Sequence, residues 1–321
     1  MRKHLMFCFF FILSMCFVVN YSLAKDPSET TIYKERPPNN ISKEPVFRIE
    51  TGMHISLARR IGVDAENRFI VTGSDDKTVR VWEFSTGNLL KTLRPPIGPG
   101  YEGNIYSADI SPDGKTVACG GWTMGGDIFH NIYFFDRESG RIKGRIPDII
   151  NVIRHMRYSR DGKYLVITLG GNNGCRVFRT SDNSSVGEDK NYGADSYGAD
   201  FDNNNQLVTT SYDGFIRLYD KNYKLVSKVK GNSGTKPFFV SFSPDGSRVA
   251  IGYHDSRNID VFSGQDLSYM YSPETGFVDN GNLEVVAWSK DGEYLYAGGR
   301  FQTDAMFPIF KWSRAGKGNH Y

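Results

Sequence analysis

Six segments of the chain share one design: an aromatic or aliphatic residue, a polar turn, then a run rich in β-formers. They are VDAENRFIVTG from Val63, ISPDGKTVACG from Ile110, YSRDGKYLVIT from Tyr158, FDNNNQLVTT from Phe201, FSPDGSRVAIG from Phe242 and WSKDGEYLYAG from Trp288. Their turn positions, Asn67, Gly114, Gly162, Asn204, Gly246 and Gly292, lie 47, 48, 42, 42 and 46 residues apart. Each segment is followed by a second β run ending in an aromatic, at Trp82, Phe135, Phe178, Tyr219, Phe262 and Trp312. A third run follows a Gly-containing turn, as in STGNLLKTL. Four short strands per period of about 40–45 residues is the pattern of a β-propeller blade. The reading is all-β, with six recognisable four-stranded blades.

In VTGSDDKTVRVWEFSTGNLLKTL and TTSYDGFIRLYDKNYKLV the chain resembles the WD-repeat β-propeller family, and the resemblance runs over residues 46–312. It implies a structural turn role for Asp76 and Asp213, six residues before the terminal aromatic, where the family's carboxylate bonds the turn ahead of the third strand. The pattern is degraded here. Glu83 follows Trp82, only Asp136 and Asp220 follow their aromatics as aspartates, and Gly52-Met53-His54 is the nearest approach to the family's Gly-His pair. The chain also looks like the N-terminal propeller of secreted bacterial WD-repeat proteins, some of which continue into a caspase-like domain. No Cys/His peptidase pair is present in this sequence, so that activity does not carry over.

Phase limits how the ring closes. The first copy is preceded by VFRIETG, residues 46–52, in register with an outer strand, and the last copy ends just after its third strand at Trp312. An N-terminal outer strand completing the last blade closes a six-bladed ring. The alternative is a seven-bladed propeller truncated after Trp312.

The ends of the chain have different characters. Met1-Arg2-Lys3-His4, an apolar run over residues 5–19 and Ser22-Leu23-Ala24 have the layout of a signal peptide, with cleavage expected after Ala24 and a secreted or periplasmic destination. The apolar run is shorter than the about 20 residues a membrane-spanning helix needs, so no membrane insertion is expected after signal removal. Residues 25–45 are polar and proline-bearing, a flexible leader, and residues 46–321 form the propeller. Loss of the signal removes Arg2 and Lys3 and leaves 37 basic against 36 acidic residues, with both signs scattered. Such a balance argues against a nucleic-acid groove. Cys119 and Cys175 are the cysteines that remain, both in apolar contexts that suit buried thiols.

Sites for chemistry are few. No G-x-S-x-G elbow occurs, the histidines show no H-x-x-x-H spacing, and no metal or cofactor is expected. Asp109, Arg157 and Asp200 fall at equivalent points of three successive innermost strands and are channel-lining candidates. They would either hold a small polar ligand or pair with one another across blades.

The repeat is broken twice. From the glycine ending the second strand to the aromatic ending the third takes nine steps in the first copy, Gly73 to Trp82. It takes fifteen in the second, Gly120 to Phe135, and fourteen in the sixth, Gly298 to Trp312. The WD-repeat resemblance places these lengthened loops on the family's usual partner-binding face. They carry Trp122, Met124, Ile128, Phe129 and His130 in one, and Arg300, Phe301, Met306 and Phe307 in the other. Aromatic, Met and Arg side chains are enriched at interface hot spots, which makes these residues partner-binding candidates. The competing reading folds the same loops back over the blade tops. The expectation is a non-catalytic scaffold that binds a protein or peptide; the alternative is a propeller enzyme or small-ligand binder using the polar channel residues.

Overall fold

A computed structural model describes residues 51–127, 129–303 and 306–320. Blade 1 consists of β1 (Ala58–Val63), β2 (Phe69–Ser74), β3 (Val79–Glu83) and β4 (Leu89–Leu93). Blade 2 is β5 (Ile105–Ile110), β6 (Thr116–Gly121), β7 (His130–Asp136) and β8 (Ile142–Ile149). Blade 3 is β9 (Ile153–Tyr158), β10 (Tyr164–Leu169), β11 (Cys175–Arg179) and β12 (Ser185–Asp189). Blade 4 is β13 (Ser196–Phe201), β14 (Leu207–Ser211), β15 (Phe215–Tyr219) and β16 (Leu225–Lys230). Blade 5 is β17 (Pro237–Phe242), β18 (Arg248–Tyr253), β19 (Asp260–Ser263) and β20 (Tyr269–Tyr271). Blade 6 is β21 (Val285–Trp288), β22 (Leu295–Gly298) and β23 (Phe310–Trp312). Each sheet is an antiparallel meander with its first strand innermost, and the six make a six-bladed β-propeller.

The sequence explains the regularity. In the turn after the innermost strand, Ser111, Ser159, Ser243 and Ser289 donate their hydroxyls to Asp113, Asp161, Asp245 and Asp291, which also accept from the backbone two residues on. The glycine that follows each aspartate takes a φ of 71–72°, a left-handed value that favours glycine. Blades 1 and 4 use Asn67 (φ 55°) and Asn205 (φ 63°). The fourth turn therefore pivots on Asn205, not on Asn204 as the repeat spacing suggested, because the pivot lies four residues after the aromatic or aliphatic residue in all six copies.

Five buried apolar clusters fill the five interfaces between successive blades. Between blades 1 and 2, Val71 and Val81 meet Ile105, Val117 and Cys119. Close approach depends on glycine, since a Cβ on Gly73 would stand 2.6 Å from Ile105 and one on Gly120 2.5 Å from Ile153. The second strands of blades 2 and 4 are buried on both faces almost throughout, whereas β2 and β22 alternate between buried and half-buried. No buried apolar cluster of described residues joins blade 6 to blade 1.

After β23 the chain turns through a short 3-10 segment (Arg314–Gly316), and His320 forms an isolated β-bridge with Trp312 while its ring stacks on Phe277 at 3.8 Å. Residues 46–50, expected to complete blade 6, lie outside the described residues, as do residues 1–24, expected as a signal peptide, and residues 25–45, expected as a leader; Thr51 and Gly52 are not in a strand. Cys119 and Cys175 are free and buried.

Candidate partner-binding face

The channel is lined by register-equivalent residues in tiers. Strands β1, β5, β9, β13 and β17 each carry an irregularity in their pairing with the second strand, at Arg59, Tyr106, Arg154, Tyr197 and Phe238. A β-bulge re-aims one side chain and bends the strand. Repeated around the axis, it forms a ring of side chains at one mouth. Arg59 stacks on Tyr106 at 4.6 Å, Arg154 lies over Tyr106 at 5.7 Å and Tyr197 at 5.3 Å, and Tyr197 meets Phe238 at 5.0 Å. Glu284, immediately before β21, takes the sixth place.

The turns between second and third strands open on the same face and supply an outer rim. Asp75 forms a salt bridge with Arg59 at 2.7 Å, and Trp122 reaches Tyr106. Tyr212 packs on Tyr197 at 4.4 Å, His254 lies 6.0 Å from Phe238, and Arg300 is 3.9 Å from Glu284. His254 also bonds Glu284 at 3.0 Å. In blade 3 the partner comes from the connection to blade 4, where Asp195 binds Arg154 at 2.7 Å. Five of the six blades thus pair a mouth residue with their own turn.

One step into the channel stand Arg60, His155 and Phe239. Arg60 crosses from blade 1 to donate to the Tyr197 carbonyl at 3.1 Å, and its guanidinium lies 5.0 Å from the Phe238 ring and 5.5 Å from that of Phe239. Burial lowers its pKa to about 10, against the opposing field of Glu284. His155 Nε2–H donates to the Ala199 carbonyl at 3.2 Å, and burial, with Arg60 and Arg157 nearby, pushes its pKa well below the usual value, leaving a neutral ring.

Asp109, Arg157 and Asp200 form a deeper tier. Arg157 lies 3.8 Å from Asp109 and 3.6 Å from Asp200. The two carboxylates also accept backbone N–H groups from the next blade, Tyr158 on Asp109 and Phe242 on Asp200, each at 2.8 Å. Their contacts are inter-blade ion pairs and strand bonds. Burial raises the Asp109 pKa to about 6, with Arg157 opposing. Below them Arg160 donates to the Pro244 and Ser243 carbonyls, closing over the far end.

Asp76 sits at the centre of a network in blade 1. It accepts from His54 Nδ1 at 2.8 Å and from the Thr78 hydroxyl and backbone, while His54 Nε2 accepts from the Thr72 hydroxyl, which in turn accepts from Trp82 Nε1 at 2.9 Å. Burial opposes ionisation, yet these bonds hold Asp76 at about 2. The order hydroxyl, imidazole, carboxylate is that of a catalytic relay. Here both sides of the hydroxyl are engaged, and His54 and Asp76 side chains are almost wholly covered. Asp213 instead pairs with Arg217, which lies over the Tyr192 ring at 3.8 Å, and accepts from the backbone of Phe215 and Gly193.

The loop candidates divide by exposure. Met124, His130 and Phe301 are buried, the last packed against Phe310 at 5.3 Å. Trp122 is half-buried between Tyr101 and His130. Phe129 is 36% exposed and Met306 64%, Arg300 is exposed, and Phe307 is half-buried. Ile128 lies outside the described residues. Sequence reasoning found two rim members, Trp122 and Arg300, but missed the mouth ring. A signal existed: Tyr106, Arg154 and Tyr197 stand three residues before Asp109, Arg157 and Asp200 in the repeat. Among the described residues no group of three or more His, Cys, Asp or Glu could hold a metal ion, and no helix is long and apolar enough to cross a membrane.

The ring of phased blades is a six-bladed β-propeller, and WD40 repeats are recognised within it. Residues 54–83, 87–125 and 194–220 match the WD domain, G-beta repeat family. The chain is 28% identical over 252 residues to the guanine nucleotide-binding protein subunit beta of Oryza sativa subsp. japonica, covering 73% of this chain and 63% of that protein. It is 28% identical over 250 residues to the Arabidopsis thaliana protein of the same name, with the same coverage. A shorter match, 41% over 68 residues, is to the ribosome biogenesis protein BOP1 homolog of Anopheles gambiae, covering 21% of this chain and 8% of that protein. The chain therefore spans less than two thirds of the length of the G-beta relatives it matches.

Proposed function

We propose that this propeller is a secreted or periplasmic, non-catalytic scaffold that binds a protein or peptide through the face carrying the mouth ring and the long loops of blades 2 and 6. The observation that carries the reading is the ring itself: half-buried Tyr106, Arg154, Tyr197 and Phe238 with the exposed Arg59, delivered by the same bulge in five blades, on the face where the lengthened loops open. Rigid aromatic and Arg side chains on a strand scaffold present contact area at low entropic cost. The relatives named as G-beta subunits are by that name parts of larger assemblies, which favours a binding role. The internal pairing of Asp109, Arg157 and Asp200 favours it over a small-ligand site at that depth. Secretion rests on residues 1–24.

The test is selection of a random peptide library on the purified propeller, followed by affinity measurement on Tyr106→Ala and Phe238→Ala beside a control at the far end, Lys163→Ala. Loss of binding in the ring variants alone, with unchanged melting temperature, supports the reading. Equal binding by ring and control variants contradicts it. Mass spectrometry of the exported protein should give Lys25 as the first residue, and retention of residues 1–24 contradicts cleavage.

A further inference from the structure

The mouth contains one cation unlike its neighbours. Arg59 is matched by Asp75, Arg154 by Asp195, and Arg300 lies beside Glu284. Arg60, deeper and nearer the axis, has no carboxylate of a described residue within 4 Å. Glu284 is the acid whose field it feels most, but that carboxylate is engaged by His254 and faces Arg300. Of its five N–H groups, one from Nη1 reaches the Arg59 carbonyl at 3.3 Å and one from Nη2 the Tyr197 carbonyl at 3.1 Å. Its Nε is buried without a hydrogen-bond partner, and so is Arg154 Nε in the ring above. A desolvated guanidinium held by carbonyls and ring faces is costly unless a counter-charge arrives.

The surroundings describe what would arrive. The Phe238 and Phe239 rings lie beneath and beside Arg60, and Tyr197, Tyr212 and His254 continue the aromatic surface outward. His155, neutral and also against Phe239 at 5.4 Å, adds no competing charge to the floor. A planar fork with free N–H groups is matched by a carboxylate, which it can bind through two parallel bonds. We propose that the channel mouth is an acidic-residue pocket, in which the side-chain carboxylate of a bound peptide's Asp or Glu docks on Arg60 while a neighbouring apolar residue lies on Phe238 and Tyr212. The site rests on the peptide-binding reading above and specifies the peptide's chemistry.

The probe is a random heptapeptide library displayed through its C-terminus, so that every carboxylate on offer belongs to a side chain. Selection on the wild-type propeller should enrich Asp or Glu at one position beside an apolar residue. Selection on Arg60→Met, which keeps the apolar stem on the rings, should lose the acid and keep the apolar preference, and the best wild-type peptide should bind this variant at least about tenfold more weakly. Lys163→Ala, in the turn at the far end of the channel, should leave the acid enriched. Peptides without a fixed acid, or an acid preference that survives Arg60→Met, overturn the pocket while leaving peptide binding intact. No enrichment at all overturns both. Should Arg60→Met fail to fold, Arg60→Lys keeps the charge and loses the fork, and the same peptide must bind it more weakly than wild type for the assignment to stand.

Discussion

Asp109→Asn should stabilise this propeller at neutral pH and do little in acid. Asp109 is 3% exposed and its pKa is raised from 3.8 to about 6, chiefly by burial, with the Arg157 guanidinium opposing at 3.8 Å. Between pH 3.8 and about 6 the unfolded chain releases a proton that the folded chain keeps, so the group costs stability as pH rises and the cost is complete above about 6. At 1.36 kcal/mol per pKa unit the full cost is about 3 kcal/mol, an upper figure because the Asp109 charge is coupled to its charged neighbours Arg157 and Asp200. Asparagine keeps an oxygen to accept the Tyr158 N–H and never ionises. Melting curves from pH 4 to pH 8 should show wild type and variant coinciding near pH 4, then separating to a plateau of about 5–10 °C in favour of the variant. A variant less stable than wild type at pH 7 by more than about 1 kcal/mol would refute the reasoning, because the ion pair would then outweigh its desolvation.

Phe301→Ala should cost about 3–5 kcal/mol in denaturant unfolding, as for a buried aromatic, whereas Met306→Ala and Phe129→Ala should stay within about 0.5 kcal/mol. His54→Ala removes the link between Asp76 and Thr72 and should cost about 1–3 kcal/mol, with raised hydrogen exchange at the Thr78 amide as its local mark. Deleting residues 25–50 should lower the melting temperature if residues 46–50 pair with β23, and a shift of less than about 2 °C would contradict closure by that segment.

Much of the architecture was legible because a propeller repeats its errors as well as its rules. One Ser-x-Asp-Gly turn is weak support, but four in phase with two Asn-containing equivalents leave little choice of fold. The one misplaced pivot, Asn204 for Asn205, came from a turn of three asparagines, where composition cannot say which one carries the positive φ. The candidate binding face was only half legible. Trp122 and Arg300 stood out because they interrupt the repeat, while Met124, His130 and Phe301 stood out equally and proved buried: Met124 and Phe301 fold back because apolar burial outweighs exposure, and His130 opens strand β7. The mouth ring obeys the repeat and so drew no attention. Its exposure depends on a bulge in each strand, a register shift that period-2 alternation does not reveal.

The central claim, that a partner docks on the mouth ring, is tested most directly by hydrogen exchange of the propeller with and without a peptide selected on it. Protection is predicted over residues 58–60, 104–107, 153–155, 195–198, 236–239 and the turns at Trp122, Tyr212 and His254, with exchange unchanged in the opposite turns at Gly114, Gly162 and Gly246. Protection confined to those opposite turns, or to the outer strands β8, β12 and β16, would contradict it.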